Sequence, residues 1–458
     1  MNIVIFSPLA TTSAIGRVTT LIVRALFKLG HSAVVVRTEQ EPALGVPAHD
    51  CETEVLSWTD AGGVELAVRD ADALFYQIGN NYTYHCGALH WLRKLPGIVC
   101  LHDFLIAHLF AEWAHGRRHE AEAVLRNWYG DEAAVAFFNA RSDSEFMDLA
   151  SRRYPMTEWI CSQASAVISH SHWGMPRVAA SCAGPLKVLA LPYDAPGAAR
   201  CSARAQDGHA RMTILTVGHA NPNKRIDSVI RAIGSSEMLA RAVTYRLCGR
   251  IEAGMAADLA ALAKAKGVDL VISGETTDDV LQEAMLDADI VCCLRWPSFE
   301  SASATTIEGL LYGKAVVVTD AAFYREIPDD CVYKISPYDE VAELSLALEE
   351  LITDSDQRLA MAHRGQAWAE RTFDAELYVA QLSDLARLAT AAQPVLAMAQ
   401  TLIDHLRGWG ASEEIMTSDQ ISRPLTIFGN THSSESETPP SATAAPTHHD
   451  ADNRTQPS

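Results

Sequence analysis

The sequence predicts an α/β protein made of two successive parallel-sheet halves. Short apolar, β-branched runs alternate with segments of helical period, as in βαβ units around a parallel sheet. The alternation stops at 194–210 (DAPGAARCSARAQDGHA), which reads as a linker, and then starts again. Each half also carries a D-x-D triplet just ahead of a strand: Asp70-Ala71-Asp72-Ala73 in the first, Asp287-Ala288-Asp289-Ile290 in the second.

In the first half the predicted strands are 2–7, 33–38, 73–79, 97–102, 166–171 and 186–191, with helices such as 15–29 and 85–95 between them. A helical insertion fills 104–160. In the second half the strands are 213–218, 244–248, 269–273, 289–294 and 315–319. Helices are expected at about 227–234, 255–266, 277–287, 304–312 and 339–373. An apolar-periodic segment runs from 374 to about 409, where Pro394 is expected to break or kink a helix returning across the cleft between the halves. From 430 the chain is Ser, Thr, Pro, Ala and His with almost no large apolar residues, the composition of a disordered tail. The expected division is therefore 1–195, 209–373, 374–410 and 430–458.

Of 458 residues, 48% are hydrophobic and 21% charged, enough to bury a core. Lys and Arg number 37 against 57 Asp and Glu, a net charge of −20. That balance argues against a nucleic-acid binder and against a polybasic membrane anchor. No apolar run is long enough to span a bilayer, and the start, MNIVIFSP, reads as a strand rather than a signal peptide. The ten cysteines include no C-x-x-C pair, which points to buried free thiols in a reducing, cytoplasmic setting. Each D-x-D ends a helix and opens an apolar run, so a turn function is preferred to a metal site.

The stretch 295–314, RWPSFESASATTIEGLLYGK, is the most informative. Glu300 sits in a loop after a buried strand and Glu308 in the first turns of the next helix. Between them Ser301, Ala302, Ser303 and Ala304 are small enough for a ligand to approach the backbone. Free N–H groups at a helix start attract anions, and ligands of parallel sheets bind beyond the carboxyl ends of the strands. A phosphate there, flanked by carboxylates that accept sugar hydroxyls, describes a nucleotide-sugar pocket. A plain βα turn with two solvated glutamates fits the spacing equally.

A second constellation is VGHANPNKRID, 217–227. A strand ends at Gly218, and Lys224-Arg225 precede a helix, where cations can hold a diphosphate or simply be solvated. Arg250 and Arg295 end other strands of this half. In the first half, Gly16 follows strand one and would let backbone approach an anionic ligand. His102-Asp103 ends the strand GIVCLH, a position suited to a cleft or to a structural histidine.

Together these pieces resemble glycosyltransferase family 4, retaining enzymes of the GT-B fold. The resemblance is best over about 213–330, through the E-x7-E pattern of Glu300 and Glu308, the YGKAVVVTD that follows, and Gly218 with Lys224. The first half matches through the Gly16 loop, Gly79-Asn80-Asn81 and Leu101-His102-Asp103. The resemblance implies two Rossmann-like domains with parallel sheets facing across a cleft, the donor mainly on the second and the acceptor mainly on the first. It implies that Glu308 accepts hydrogen bonds from the ribose and that Glu300 contacts donor-sugar hydroxyls. Lys224, with the amides near Ser301–Ala304, would stabilise the diphosphate, Gly16 would approach it from the other side, and His102 would lie at the reacting centre; Arg225 or Arg295 would add a cation there.

No cofactor and no divalent metal are implied. The substrates would be a UDP- or GDP-sugar and a glycan, lipid-linked or small-molecule acceptor, with peripheral membrane contact in the lipid-linked case. The chain departs from many relatives at His219, where they carry Arg after the strand-end glycine. A GT-B epimerase or phosphorylase, a catalytically silent GT-B subunit regulating a partner transferase, and a two-domain small-molecule binding protein remain as other readings.

Overall fold

The computed structural model describes residues 1–195, 211–412 and 415, so most of the expected linker and the expected tail at 430–458 lie outside the described residues. Among the described residues, those up to 393 form one compact unit and those from 394 another.

Within the first unit lie two sheets, every strand pair parallel. The first contains β1 (Asn2–Ser7), β2 (Ser32–Arg37), β3 (Val55–Ser57), β4 (Ala73–Ile78), β5 (Ile98–Leu101), β6 (Ala166–Ser169) and β7 (Leu186–Val188). Its order is β3-β2-β1-β4-β5-β6-β7. The second contains β8 (Met212–Val217), β9 (Val243–Cys248), β10 (Leu270–Gly274), β11 (Ile290–Cys293), β12 (Ala315–Thr319) and β13 (Tyr333–Ile335), ordered β10-β9-β8-β11-β12-β13. Both orders reverse direction after the third strand of the half, which opens a crevice between β1 and β4 and again between β8 and β11.

The apolar runs form these strands because both faces of each sheet are covered, so neither face needs polar residues. β5, β6, β11 and β12 are buried throughout. Two strands go beyond the expected set, β3 and β13; each has three residues at a sheet edge and is only partly buried, too short and too exposed for a periodic signal.

The helical insertion resolves into five helices: Ala107–Trp113, Arg118–Tyr129, Ala133–Phe138, Asp143–Arg152 and Thr157–Cys161. The segment expected as one helix at 339–373 is two, Glu340–Thr353 and Ser355–Thr372. Asp354 separates them by capping the second, its carboxylate accepting from Gln357 N at 2.9 Å. The last helix is Ala375–Gly408, and Pro394 lies inside it rather than ending it. A proline removes one ladder bond, and the turns on either side keep theirs. Tyr378, Val379, Leu382 and Leu385 of this helix are buried in the same core as Ile5 of β1 and Val291 of β11.

The D-x-D triplets serve their turns. Asp72 Oδ2 accepts from Asn2 N at 2.7 Å at the start of β1, and Asp289 Oδ2 accepts from Thr213 N at 2.8 Å near the start of β8. Among the described residues, no helix is long and apolar enough to cross a membrane. The nine cysteines described are free and buried.

Candidate active site

The carboxyl ends of β8 and β11 bring three charged side chains together. Lys224 closes the short 3-10 turn Pro222–Lys224, is buried, and donates from Nζ to Val217 O at 2.7 Å. Gly218, at φ +93°, makes room for it: a Cβ there would stand 2.6 Å from Lys224 Nζ. Arg295 follows β11, buried, with Nε 3.0 Å from Glu300 Oε1. Tyr324 Oη donates to the same Glu300 oxygen at 2.6 Å. Burial and then the neighbouring Arg295 push the Lys224 pKa down to about 7, against the pull of Glu300. Burial works most strongly against the charge on Arg295, but Glu300, Tyr324 and Cys293 together outweigh it and raise the Arg295 pKa.

The helix Ala304–Leu311 begins beside this group. Ser303 caps it, its Oγ accepting from Thr306 N at 3.4 Å. Glu308 points from this helix to Arg17 of the first half, Oε1 3.6 Å from the guanidinium. Arg17 is held by Asp194 Oδ1 at 2.8 Å and Tyr193 Oη at 3.2 Å, and lies 4.7 Å over the Tyr193 ring. Burial raises the Glu308 pKa, and Arg17 opposes the rise.

The two halves meet directly at their strand ends. Phe104 N donates to Phe299 O at 2.8 Å, Ser301 N to His102 O at 3.0 Å, and Ser301 Oγ to Leu101 O at 2.6 Å. Asp103 and Glu300 form an antiparallel bridge. At this junction is a cavity of about 230 Å³, with Ile15, His102 and Asp103 on one side and Arg295, Glu300 and Ala302–Thr305 on the other. Two larger open pockets, about 720 and 570 Å³, lie against the helical insertion and include none of the expected site residues.

His102 Nε2 is 2.5 Å from Gln77 Oε1, and burial followed by His170 and His85 holds its pKa well below the ordinary histidine value. Asp103 accepts from Asn80 N at 2.8 Å. Burial pushes its pKa up to about 7; the Asn80 N–H opposes this and Glu300 adds to it.

Some expected residues do other work. Arg225, at φ +55°, pairs with the buried Glu340 at 2.9 Å, away from the Lys224 group. Gly16 is explained by packing: a Cβ would meet His49 Cδ2 at 2.8 Å and Pro8 O at 3.0 Å, while its N–H reaches the Ser13 cap at 3.2 Å. Ser301 spends its hydroxyl and N–H on the junction. His219 is exposed. Sequence reasoning missed Arg17 and Tyr324. Arg17 was signalled by its place next to Gly16 in the first turn of the helix after strand one, whereas nothing local marked Tyr324.

Comparison with known proteins bears on the fold. Residues 204–368 match the family model described as glycosyl transferases group 1. Among solved structures, sucrose-phosphate synthase from Thermosynechococcus elongatus is similar at 13% identity and a TM-score of 0.59, covering 86% of this chain and 100% of that one. The fold is GT-B. Anabaena HepE in complex with UDP and glucose shares it at 18% identity and a TM-score of 0.56, over 84% of this chain and 98% of that one. WaaG, a glycosyltransferase involved in lipopolysaccharide biosynthesis, does so at 15% identity and 0.55, over 84% and 99%. No curated protein matches. In GT-B terms, the Lys224–Arg295–Glu300 group and Glu308 belong to the second Rossmann-like half, and His102 and Arg17 to the first.

Proposed function

We propose that the protein is a retaining glycosyltransferase of the family 4 type, moving a hexose from a UDP- or GDP-sugar to a hydroxyl of a glycan, lipid-linked or small-molecule acceptor. One observation carries the reading: Lys224, Arg295 and the first turn of Ala304–Leu311 converge at the carboxyl ends of β8 and β11, with Glu300 and Glu308 beside them and His102 across the cavity. Two cations and a helix start suit a departing diphosphate, and two carboxylates suit sugar hydroxyls.

In this reading Glu308 takes the ribose, Glu300 the hexose, and Lys224 with Arg295 and the Ala302–Thr305 amides the diphosphate. These cations sit where a divalent metal would otherwise neutralise the phosphates, so none is required. The bond from the anomeric carbon to the diphosphate oxygen breaks, and the acceptor oxygen bonds to that carbon on the same face. The acceptor proton passes to the departing phosphate oxygen. Charge develops on the diphosphate, and losing one preorganised donor to it costs about 10²–10³ in rate. His102, at the cavity wall, contacts the donor sugar. The cavity of about 230 Å³ is smaller than the roughly 300–1,000 Å³ of ordinary ligand pockets, so the halves part at the Arg17–Glu308 contact to admit donor.

The test is a thermal-shift screen over UDP-, GDP-, ADP- and TDP-sugars, then transfer with the stabilising donor and NMR of the product's anomeric configuration. Stabilisation lost in Glu308→Ala, with a retained anomer, supports the reading. Full transfer by both Glu308→Ala and Lys224→Ala, or an inverted anomer, refutes it.

A further inference from the structure

Behind His102 lies a set of side chains that the transfer reading does not use. β5 and β6 are neighbours, with Cys100 opposite Ile168 and Leu101 opposite Ser169. Cys100 and His102 are two residues apart and so share a face of the sheet; His170, just past β6, is beside His102. Cys100 Sγ is 3.3 Å from His170 Nε2 and 3.9 Å from His102 Nε2, and all three atoms lie within 4.8 Å of one another.

We infer that Cys100, His102 and His170 form a binding site for Zn²⁺. Zinc–sulfur and zinc–nitrogen bonds of about 2.3 and 2.0–2.1 Å place tetrahedral S and N ligands about 3.6 Å apart, and the two observed S···N separations bracket that spacing. The outer contacts fit as well. His170 Nδ1 is 2.9 Å from Leu189 O, so it carries the proton and leaves the Nε2 lone pair aimed at Cys100. Tyr378 Oη, 3.5 Å from Cys100 Sγ, is placed to donate to the thiolate, and Gln77 Oε1, 2.5 Å from His102 Nε2, is the contact that the ion displaces. His102 lines the cavity between the halves, which gives the ion a route in. A thiolate with two imidazoles selects a borderline-soft ion over magnesium or calcium.

Binding releases the Cys100 thiol proton to solvent, and His102 moves its ring proton from Nε2 to Nδ1 as Nε2 leaves Gln77 for the metal. One net proton is released per ion. A bound ion would fix the His102 ring, so the metal acts as a brake on whatever the ring does at the cavity. The site is argued from its own geometry and stands whether or not sugar transfer is the activity.

The test titrates the full chain, stripped with chelator, with Co²⁺ alone and then Zn²⁺ alone. One equivalent of Co²⁺ should give a thiolate-to-cobalt charge-transfer band that Zn²⁺ abolishes. The band should vanish in Cys100→Ser, and affinity should fall at least tenfold in His170→Gln. X-ray absorption at the zinc edge of the unmodified chain needs no variant to fold, and should find one sulfur and two imidazole nitrogens. Absence of the band, its persistence in Cys100→Ser, or a shell with no sulfur would each overturn the site.

Discussion

Arg17 from the first half reaches Glu308 in the second, guanidinium to carboxylate at 3.6 Å, with Glu308 almost completely buried. Arg17 is the cation that makes a buried carboxylate tolerable there. Without it, burial pushes the Glu308 pKa higher still, so the folded state holds an extra proton over a wider range and loses stability as pH rises through it. Arg17→Ala should therefore cost about 1–3 kcal/mol at pH 8 and less at pH 5. Adding Glu308→Gln should recover most of the loss. Chemical denaturation of the single and double variants at both pH values measures this; a deficit that ignores pH would contradict it.

Lys224, its pKa held near 7, is largely uncharged at pH 8 when the site is empty. A bound diphosphate favours the charged form. Nucleotide binding at pH 8 should then take up close to one proton, visible as a binding enthalpy that depends on the buffer's ionisation heat. Lys224→Met should lose that dependence, and Lys224→Ala should lower turnover by about 10²–10³. Equal heats in phosphate and Tris for the unmodified protein would rule the coupling out.

Asp103 titrates at about 7 in the folded protein instead of near its ordinary 3.8. Between those values the folded chain binds more protons than the unfolded one, so this residue makes stability fall as pH rises from about 4 to 7. Asp103→Asn should flatten that slope by at most about 1.4 kcal/mol per pH unit. Melting curves across the window decide it, and parallel profiles for both proteins would count against the assignment.

Tyr324 acts on Glu300 through its 2.6 Å hydrogen bond. A hydrogen bond to a charged group contributes about 1.5–3 kcal/mol. If Glu300 must hold its position as the sugar transfers, Tyr324→Phe should lower kcat roughly ten- to a hundredfold and leave nucleotide affinity within a few-fold. The kcat–KM split is the readout, and a changed KM with normal kcat would place Tyr324 in ground-state binding alone.

Much of the fold was legible because parallel strands buried on both faces write themselves as unbroken apolar runs. AVVVT at 315–319 is β12 residue for residue. β3 and β13 were not, because three partly buried edge residues are too few to show a period. Lys224, Glu300 and Glu308 could be singled out because each sits in, or in the helix just after, a strand-to-helix connection that local spacing reveals. The pairings of Arg17 with Glu308, Tyr324 with Glu300, and Cys100 with His170 exist only once the sheets are assembled. Gly16 also has a packing reason that spacing could not show: the space where its Cβ would stand is filled by His49 and the Pro8 carbonyl.

The stitching of residues 299–301 onto 101–105 ties the rims of the two lobes together through main-chain bonds. Such bonds share one short run of backbone, so they rupture together or not at all, and gradual breathing between the lobes is suppressed. Opening then becomes a discrete, infrequent event on a microsecond-to-millisecond scale.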